Sequence, residues 1–149
     1  MVEYLEFTLD KFTFKVATDR YYHPDGVWAK EANDRVTIGL SDFLQQRSGD
    51  IAFAEVAEVG TALAAGDEVA NIETIKVDVS LPSPVTGTVL EVNPRLELEA
   101  EVINQSPYED GWLAVIEAAN WETDRANLLQ PDAYFAHMQV EAEEEVKKL

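Results

Sequence analysis

The sequence predicts a mainly β domain of short strands, with one short internal helix and a helix at its C-terminal end. Three observations predict it. Apolar residues alternate at period two in several runs, among them Glu68 to Glu73 and Val85 to Val92, as half-buried strands require. Clusters rich in Gly and Pro punctuate those runs at His23-Pro24-Asp25-Gly26, Ala65-Gly66-Asp67 and Pro82-Ser83-Pro84. Beyond Asn120 the apolar residues recur at helical spacings instead.

Taken in order, Glu3 to Val16 alternates in part (Tyr4, Phe7, Leu9, then Phe12, Phe14, Val16) and predicts one or two short strands. The His-Pro-Asp-Gly string at 23–26 is a turn signal. Val27 to Ala29 and Arg35 to Leu40 read as strands, which puts Trp28 in an apolar strand context, as with Trp112 further on. Ser41 to Gln46 reads as a short helix, capped by Ser41 or Asp42 and closed by Gly49. Ile51 to Val56 is a strand, and Val59-Gly60-Thr61 is a turn. The units Ala65 to Val69 and Val85 to Val89 look like a repeat. Lys76 falls near a bend between the flanking runs 68–73 and 85–92.

Beyond Asn120 Trp121, Leu128, Leu129, Tyr134, Phe135 and Met138 recur at helical spacings and predict a C-terminal helix laid on the sheet. Pro131 suits a first turn, where its missing N–H costs nothing. Phe135 and Met138, one turn apart, are the expected packed pair, so that Phe135→Ala should open a cavity. Glu141 to Glu145 is expected to be a solvated face. Lys147 and Lys148 complement the negative end of the helix dipole.

At 149 residues and 46% apolar content the chain predicts a single domain over 1–149, with one sizeable core. No apolar run is long enough to span a membrane. Met1-Val2-Glu3-Tyr4 does not open a signal peptide, so the expected location is cytoplasmic. A net charge of −18, from 29 acids against 11 bases, argues against nucleic acid and anionic lipid as partners. It favours basic docking faces on protein partners, and also suits a saline medium. There is no cysteine, so any sulfur redox chemistry must come from an added group. His23 and His137 are isolated, no phosphate-binding loop occurs, and the aspartates lack calcium-loop spacing. No catalytic constellation stands behind an enzyme reading.

The run Gly66 to Asn93, G-D-E-V-A-N-I-E-T-I-K-V-D-V-S-L-P-S-P-V-T-G-T-V-L-E-V-N, resembles lipoyl-bearing carrier domains, above all the glycine cleavage H protein and its H-like relatives. The resemblance extends through Val36–Leu44, the Gly49-Asp50 turn and Asn104-Gln105-Ser106-Pro107-Tyr108-Glu109-Asp110-Gly111-Trp112, an N-x-x-P-Y-x-x-G-W string. It covers roughly residues 20–135, with a C-terminal helix and acidic tail over 128–149. It implies a flattened barrel or hammerhead, the barrel-sandwich hybrid, and lipoate in amide linkage on Lys76. It also implies that Glu73, three residues before the lysine, and Gly87, eleven after it, are read by the lipoylating enzyme. On that reading a side chain at 87 should impede lipoylation and leave stability nearly unchanged. Biotin carriers share the architecture but place methionine on both sides of the lysine, where Ile75 and Val77 stand here.

The family's His-Glu-Trp string is interrupted here by Pro24-Asp25-Gly26, and Asp78-Val79-Ser80-Leu81 follows the lysine. Both departures alter the cleft in which an aminomethyl-loaded arm would shelter, and Asp78 adds a carboxylate two residues from the tether. They tilt the implied pathway toward the H-like carriers of sulfur oxidation, which serve a heterodisulfide-reductase-like complex. The alternative is a glycine cleavage H protein working with glycine decarboxylase and aminomethyltransferase. A further alternative is a non-lipoylated binding module of the same fold. Either carrier would be loaded by a lipoate ligase or lipoyl transferase and reoxidised by dihydrolipoamide dehydrogenase.

Overall fold

The computed structural model describes residues 2–147. Strands β1 (Tyr4–Leu9) and β2 (Phe12–Ala17) form an antiparallel hairpin. Asp10 turns it at φ 56°, a left-handed conformation that a short polar side chain tolerates. Next come β3 (Tyr21–Tyr22), β4 (Val27–Ala32), β5 (Arg35–Leu40), helix α1 (Asp42–Ser48) and β6 (Ile51–Val56). The chain continues through β7 (Ala62–Leu63), β8 (Glu68–Thr74), β9 (Asp78–Pro82) and β10 (Gly87–Val92). A 3-10 turn at Pro94–Glu97, α2 (Val102–Gln105), β11 (Ala114–Ala118), α3 (Trp121–Arg125) and α4 (Pro131–Lys147) complete it.

Two sheets make the body. One has the order β3-β4-β5-β11-β10-β7, the other β6-β8-β9. Their alternating inward residues share one apolar core. Val36, Ile38, Val89 and Ile116 come from the larger sheet, and Ile51, Ile72 and Leu81 from the smaller. This is the mainly β barrel-sandwich hybrid that the sequence implied. No helix among the described residues is long and apolar enough to cross a membrane.

The strand partners near Lys76 differ from the sequence reading. The second arm of its hairpin is β9, which pairs with β8 from Glu73↔Asp78 to Glu68↔Pro82. The run from Val85 instead feeds β10, which pairs with β11 and β7 in the larger sheet. The supposed repeat therefore sends its two copies into different sheets. Alternation in Asp78–Leu81 is visible, but Pro82 conceals it by advertising a turn. Pro82 is tolerated because β9 is an edge strand, where a missing N–H costs no ladder bond.

The N-x-x-P-Y-x-x-G-W string is a clamp. Asn104 accepts from Ile51 N–H at 2.9 Å and donates to Gly49 O at 2.9 Å and Gln45 Oε1 at 3.0 Å, tying the end of α1 to the start of β6. Pro107 O accepts from the Trp28 indole at 3.0 Å, and Tyr108 Oη donates to Lys15 O at 2.7 Å. Trp28 is in the core, 2% exposed. Trp112 lies outside the strands, between Gly111 and β11, and is only partly buried.

The predicted C-terminal helix is α4, starting at Pro131, and the short helix α3 precedes it, with residues 126–130 out of helical geometry between them. The face of α4 that packs is Tyr134, Met138 and Ala142, spaced i, i+4, i+8. Tyr134 stacks on Tyr22 with ring centroids 4.4 Å apart, and its hydroxyl meets the Ser41 Oγ at 2.8 Å. Ser41 also caps α1 by accepting from Leu44 N–H. Tyr22, Tyr134, Met138 and Ala142 join Phe14, Val16, Trp28, Phe43 and Tyr108 in a second apolar cluster. Phe135, expected at its centre, is only partly buried at the edge. Met138→Ala is expected to lower the unfolding free energy by about 2–5 kcal/mol, and Phe135→Ala by less. Denaturant midpoints check this; a larger loss for Phe135 would put the packed face where the sequence reading had it.

Glu141 and Glu145 are not freely solvated either. Arg47 of α1 bridges both, at 2.8 Å and 2.6 Å, while Glu143 and Glu144 face outward. Lys147 is exposed in the last turn of α4, and Lys148 lies outside the described residues.

Candidate functional site

Lys76 occupies the centre of a three-residue turn, Ile75-Lys76-Val77, between β8 and β9. Thr74 holds that turn. Its backbone N–H donates to Val77 O at 2.8 Å, and its Oγ1 accepts from the N–H groups of Lys76 at 3.2 Å and Val77 at 3.0 Å. Threonine hydroxyls favour such local backbone bonds. The clamp leaves the side chains at the tip in solvent: Lys76 is exposed, and Ile75 is 96% exposed. A lysine on a short, tied projection reaches an enzyme active site without unfolding anything.

The underside of the turn rests on the α1–β6 connection. The Lys76 stem passes 3.7 Å and 3.8 Å from where a Cβ would stand on Gly49. Gly49 adopts φ 92°, which favours glycine, and its carbonyl is fixed by Asn104. The Gly-Asp turn and the Asn104 motif thus shape the surface over which a group on Lys76 moves.

Lys76 borders two cavities. One, of about 450 Å³, lies between the hairpin and α4 and has a mixed lining, with Asp25, Ser48, Ser80, Glu141 and Glu145 set beside Leu44, Val79 and Leu81. The other, of about 140 Å³, is mostly apolar and faces β2. Arg47 lines both. Asp25 enters the larger cleft from the His-Pro-Asp-Gly turn, where His23 Nδ1 accepts from its backbone N–H at 2.9 Å. The Pro24-Asp25-Gly26 interruption therefore places a carboxylate in this cleft. Asp78, expected beside the arm, is exposed and does not line the cleft; Val77, Val79 and Leu81 do. His23 is partly buried, and burial lowers its pKa against the pull of Asp25. His137 Nε2 meets Glu141 at 2.6 Å and Pro24 O at 3.1 Å, so both histidines are engaged by near neighbours.

Glu73 is exposed one residue before the clamp, directly across from Asp78, so two carboxylates stand at the neck of the turn. Gly87 is elsewhere, buried in β10 between Leu63 and Ala118. A Cβ there would run into the Glu117 carbonyl oxygen and come within 2.8 Å of Ile116 Cγ2. The expected indifference of stability to a side chain at 87 is overturned by this close backbone approach. Thr74, Gly49 and Arg47 were missed as site residues. Thr74 carried a local signal, since threonine before a turn is an available hydrogen-bonding residue; Arg47 carried none, because its partners are 94 and 98 residues away.

The residues fit a covalently attached arm. An exposed primary amine stands on a clamped tip, its stem is guided by Gly49, and two cavities of different polarity open beside it. Comparison with known proteins agrees. Residues 20–141 match the family described as "Glycine cleavage H-protein". The chain is 39% identical over 132 residues to glycine cleavage system H protein 4 of Aquifex aeolicus, covering 89% of this chain and 77% of the relative. It is 40% identical over 116 residues to the glycine cleavage system H protein of Geobacillus thermodenitrificans, covering 77% and 90%. The crystal structure of a glycine cleavage system H protein from Mycobacterium marinum superposes with a TM-score of 0.71 at 27% identity, covering 78% of this chain and 94% of that one. These matches favour glycine cleavage over the sulfur-oxidation pathway that the sequence reading put first.

Proposed function

We propose that this chain, which belongs to the glycine cleavage H-protein family, carries lipoate on Lys76 and serves as the shuttle subunit of a glycine cleavage system. Proteins of this family are lipoate-carrying subunits and not catalysts. The observation that carries the reading is the exposed lysine on the Thr74-clamped turn, at the mouth of a cleft that holds Asp25, Glu141 and Glu145, within the matched region. When bound, lipoate supplies the redox-active dithiolane that a chain without cysteine does not contain.

The protein's own residues do the positioning. The clamped turn limits the conformations lost each time the lysine enters a partner. Asp25, Glu141 and Glu145 bring negative charge to the cleft, tempered by Arg47 on the two glutamates. This setting suits a cationic amine cargo. Glu73, exposed at the neck of the turn, is the contact for the lipoylating enzyme. Gly87 supports recognition through the packing of β10 on β11. The acidic surface steers the carrier to basic docking faces on glycine decarboxylase, aminomethyltransferase and dihydrolipoamide dehydrogenase. The 1–149 stretch acts as one carrier domain.

The test is co-expression with a lipoate ligase, followed by intact mass and turnover with glycine decarboxylase and aminomethyltransferase. The mass should rise by one lipoyl group. Turnover should fall within a few-fold of a reference H protein at equal lipoylation. Full lipoylation with background turnover would return the sulfur-oxidation reading to first place. No mass increase would leave a non-lipoylated binding module.

A further inference from the structure

The smaller cavity beside Lys76 is built largely from chain outside the matched family region. Its apolar walls are Phe12 and Phe14 of β2, Phe43 of α1, and Ala142 and Val146 of α4. Of these five, only Phe43 falls within residues 20–141. The walls are organised. Phe14 meets Phe43 edge-on at 5.4 Å, and Phe12 lies nearly parallel to Phe14 at 6.2 Å. Phe12 remains 36% exposed although it is large and apolar. Arg47 stands between this cavity and the acidic cleft, its guanidinium 5.3 Å from the Phe43 ring centre and bonded to Glu141 and Glu145.

We infer that this cavity is a resting site for the dithiolane end of a lipoyl group on Lys76, distinct from the larger, more acidic cleft with which it shares Arg47 and Glu145. The inference rests on lipoylation of Lys76, proposed above. Three features fix the occupant. Lys76 itself lines the cavity, so the amide-linked chain begins at its mouth. A tethered group is present at a local concentration in the millimolar range or above, so weak apolar contact suffices to hold it. The volume of about 140 Å³ is close to the roughly 150 Å³ at which an apolar cavity accepts one small ring, so it takes the dithiolane ring while the chain crosses its open mouth. The unloaded arm is apolar except for its amide and sulfurs, and prefers a cavity with three phenylalanines and one carboxylate, Glu145, to the larger cleft, where Asp25 and Glu141 join Glu145. An amine-bearing arm prefers the reverse. The cargo thus decides which side of Arg47 the arm occupies. The N-terminal hairpin, by supplying Phe12 and Phe14, covers one face of the empty arm's disulfide until a partner docks.

The test uses the full-length lipoylated protein with its disulfide oxidised. Methyl and aromatic resonances of Phe12, Phe14, Phe43, Ala142 and Val146 should shift on lipoylation, and those of Val79 and Leu81 in the larger cleft much less. The rate of dithiolane reduction by tris(2-carboxyethyl)phosphine should rise several-fold in Phe12→Ala. It should be unchanged in Phe53→Ala, which removes an exposed ring elsewhere. Lipoylated protein with unshifted cavity resonances, or with equal reduction rates in all three proteins, would overturn the resting site and leave the carrier reading intact. No mass increase at Lys76 would overturn the carrier reading, and the resting site with it.

Discussion

Lys76→Arg should abolish lipoylation completely while leaving stability within about 0.5 kcal/mol of the parent. The side chain is exposed, and the turn around it is held by Thr74 and by backbone groups, none of which depends on the lysine head. Arginine keeps the charge and the apolar stem. Its guanidinium stays protonated at any working pH and is not an acyl acceptor in the way a lysine amine is. The control is Lys11→Arg. Lys11 also sits in a hairpin turn, between β1 and β2, but its ammonium lies 5.8 Å from the Phe12 ring centre, and the hairpin precedes the matched family region. Intact mass after co-expression with a ligase should show one added lipoyl group for Lys11→Arg and none for Lys76→Arg. A retained mass increase in Lys76→Arg would move the attachment site elsewhere and withdraw the carrier geometry argued above.

Gly87→Ala should cost about 3 kcal/mol or more, at the upper end of what overpacking usually costs. The new methyl group has nowhere to go. It would meet the Glu117 carbonyl oxygen, a backbone atom held in the β10–β11 ladder, as well as Ile116 Cγ2. Relief requires β10 and β11 to separate, which breaks ladder hydrogen bonds and opens the core at Val89 and Ile116. A domain of this size has only about 5–15 kcal/mol to lose. The urea midpoint should drop sharply, and lipoylation in cells should fall because less folded substrate exists. Measuring lipoylation of the purified folded fraction at low temperature separates the two effects. A midpoint within about 1 kcal/mol of the parent would show that the strands can part cheaply, and would return Gly87 to a role in ligase contact alone.

Much of this protein was legible without coordinates because the relevant physics is local. Period-two alternation marks residues that face a core whatever lies across from them, and β5, β6 and β8 followed from it. Ser41 and Gly49 bound α1 through groups within a few residues of its ends. The spacing of Glu73, Lys76 and Gly87 is a property of the chain alone. What the sequence could not order is which segments meet. Val85–Val92 alternates as well as β8 does, yet it joins another sheet, since alternation fixes a buried face and not a neighbour. The stripe of α4 required knowing that Tyr22 and Ser41 lie beneath it, which selects Tyr134 and Met138 over Phe135. Arg47 reached its role only when α1 and α4 came together. The need for glycine at 87 arises where a carbonyl thirty residues along the chain approaches its Cα. Each of these is a contact between segments distant in sequence. Its energy depends on shape and distance after folding, and no pattern within either segment encodes that.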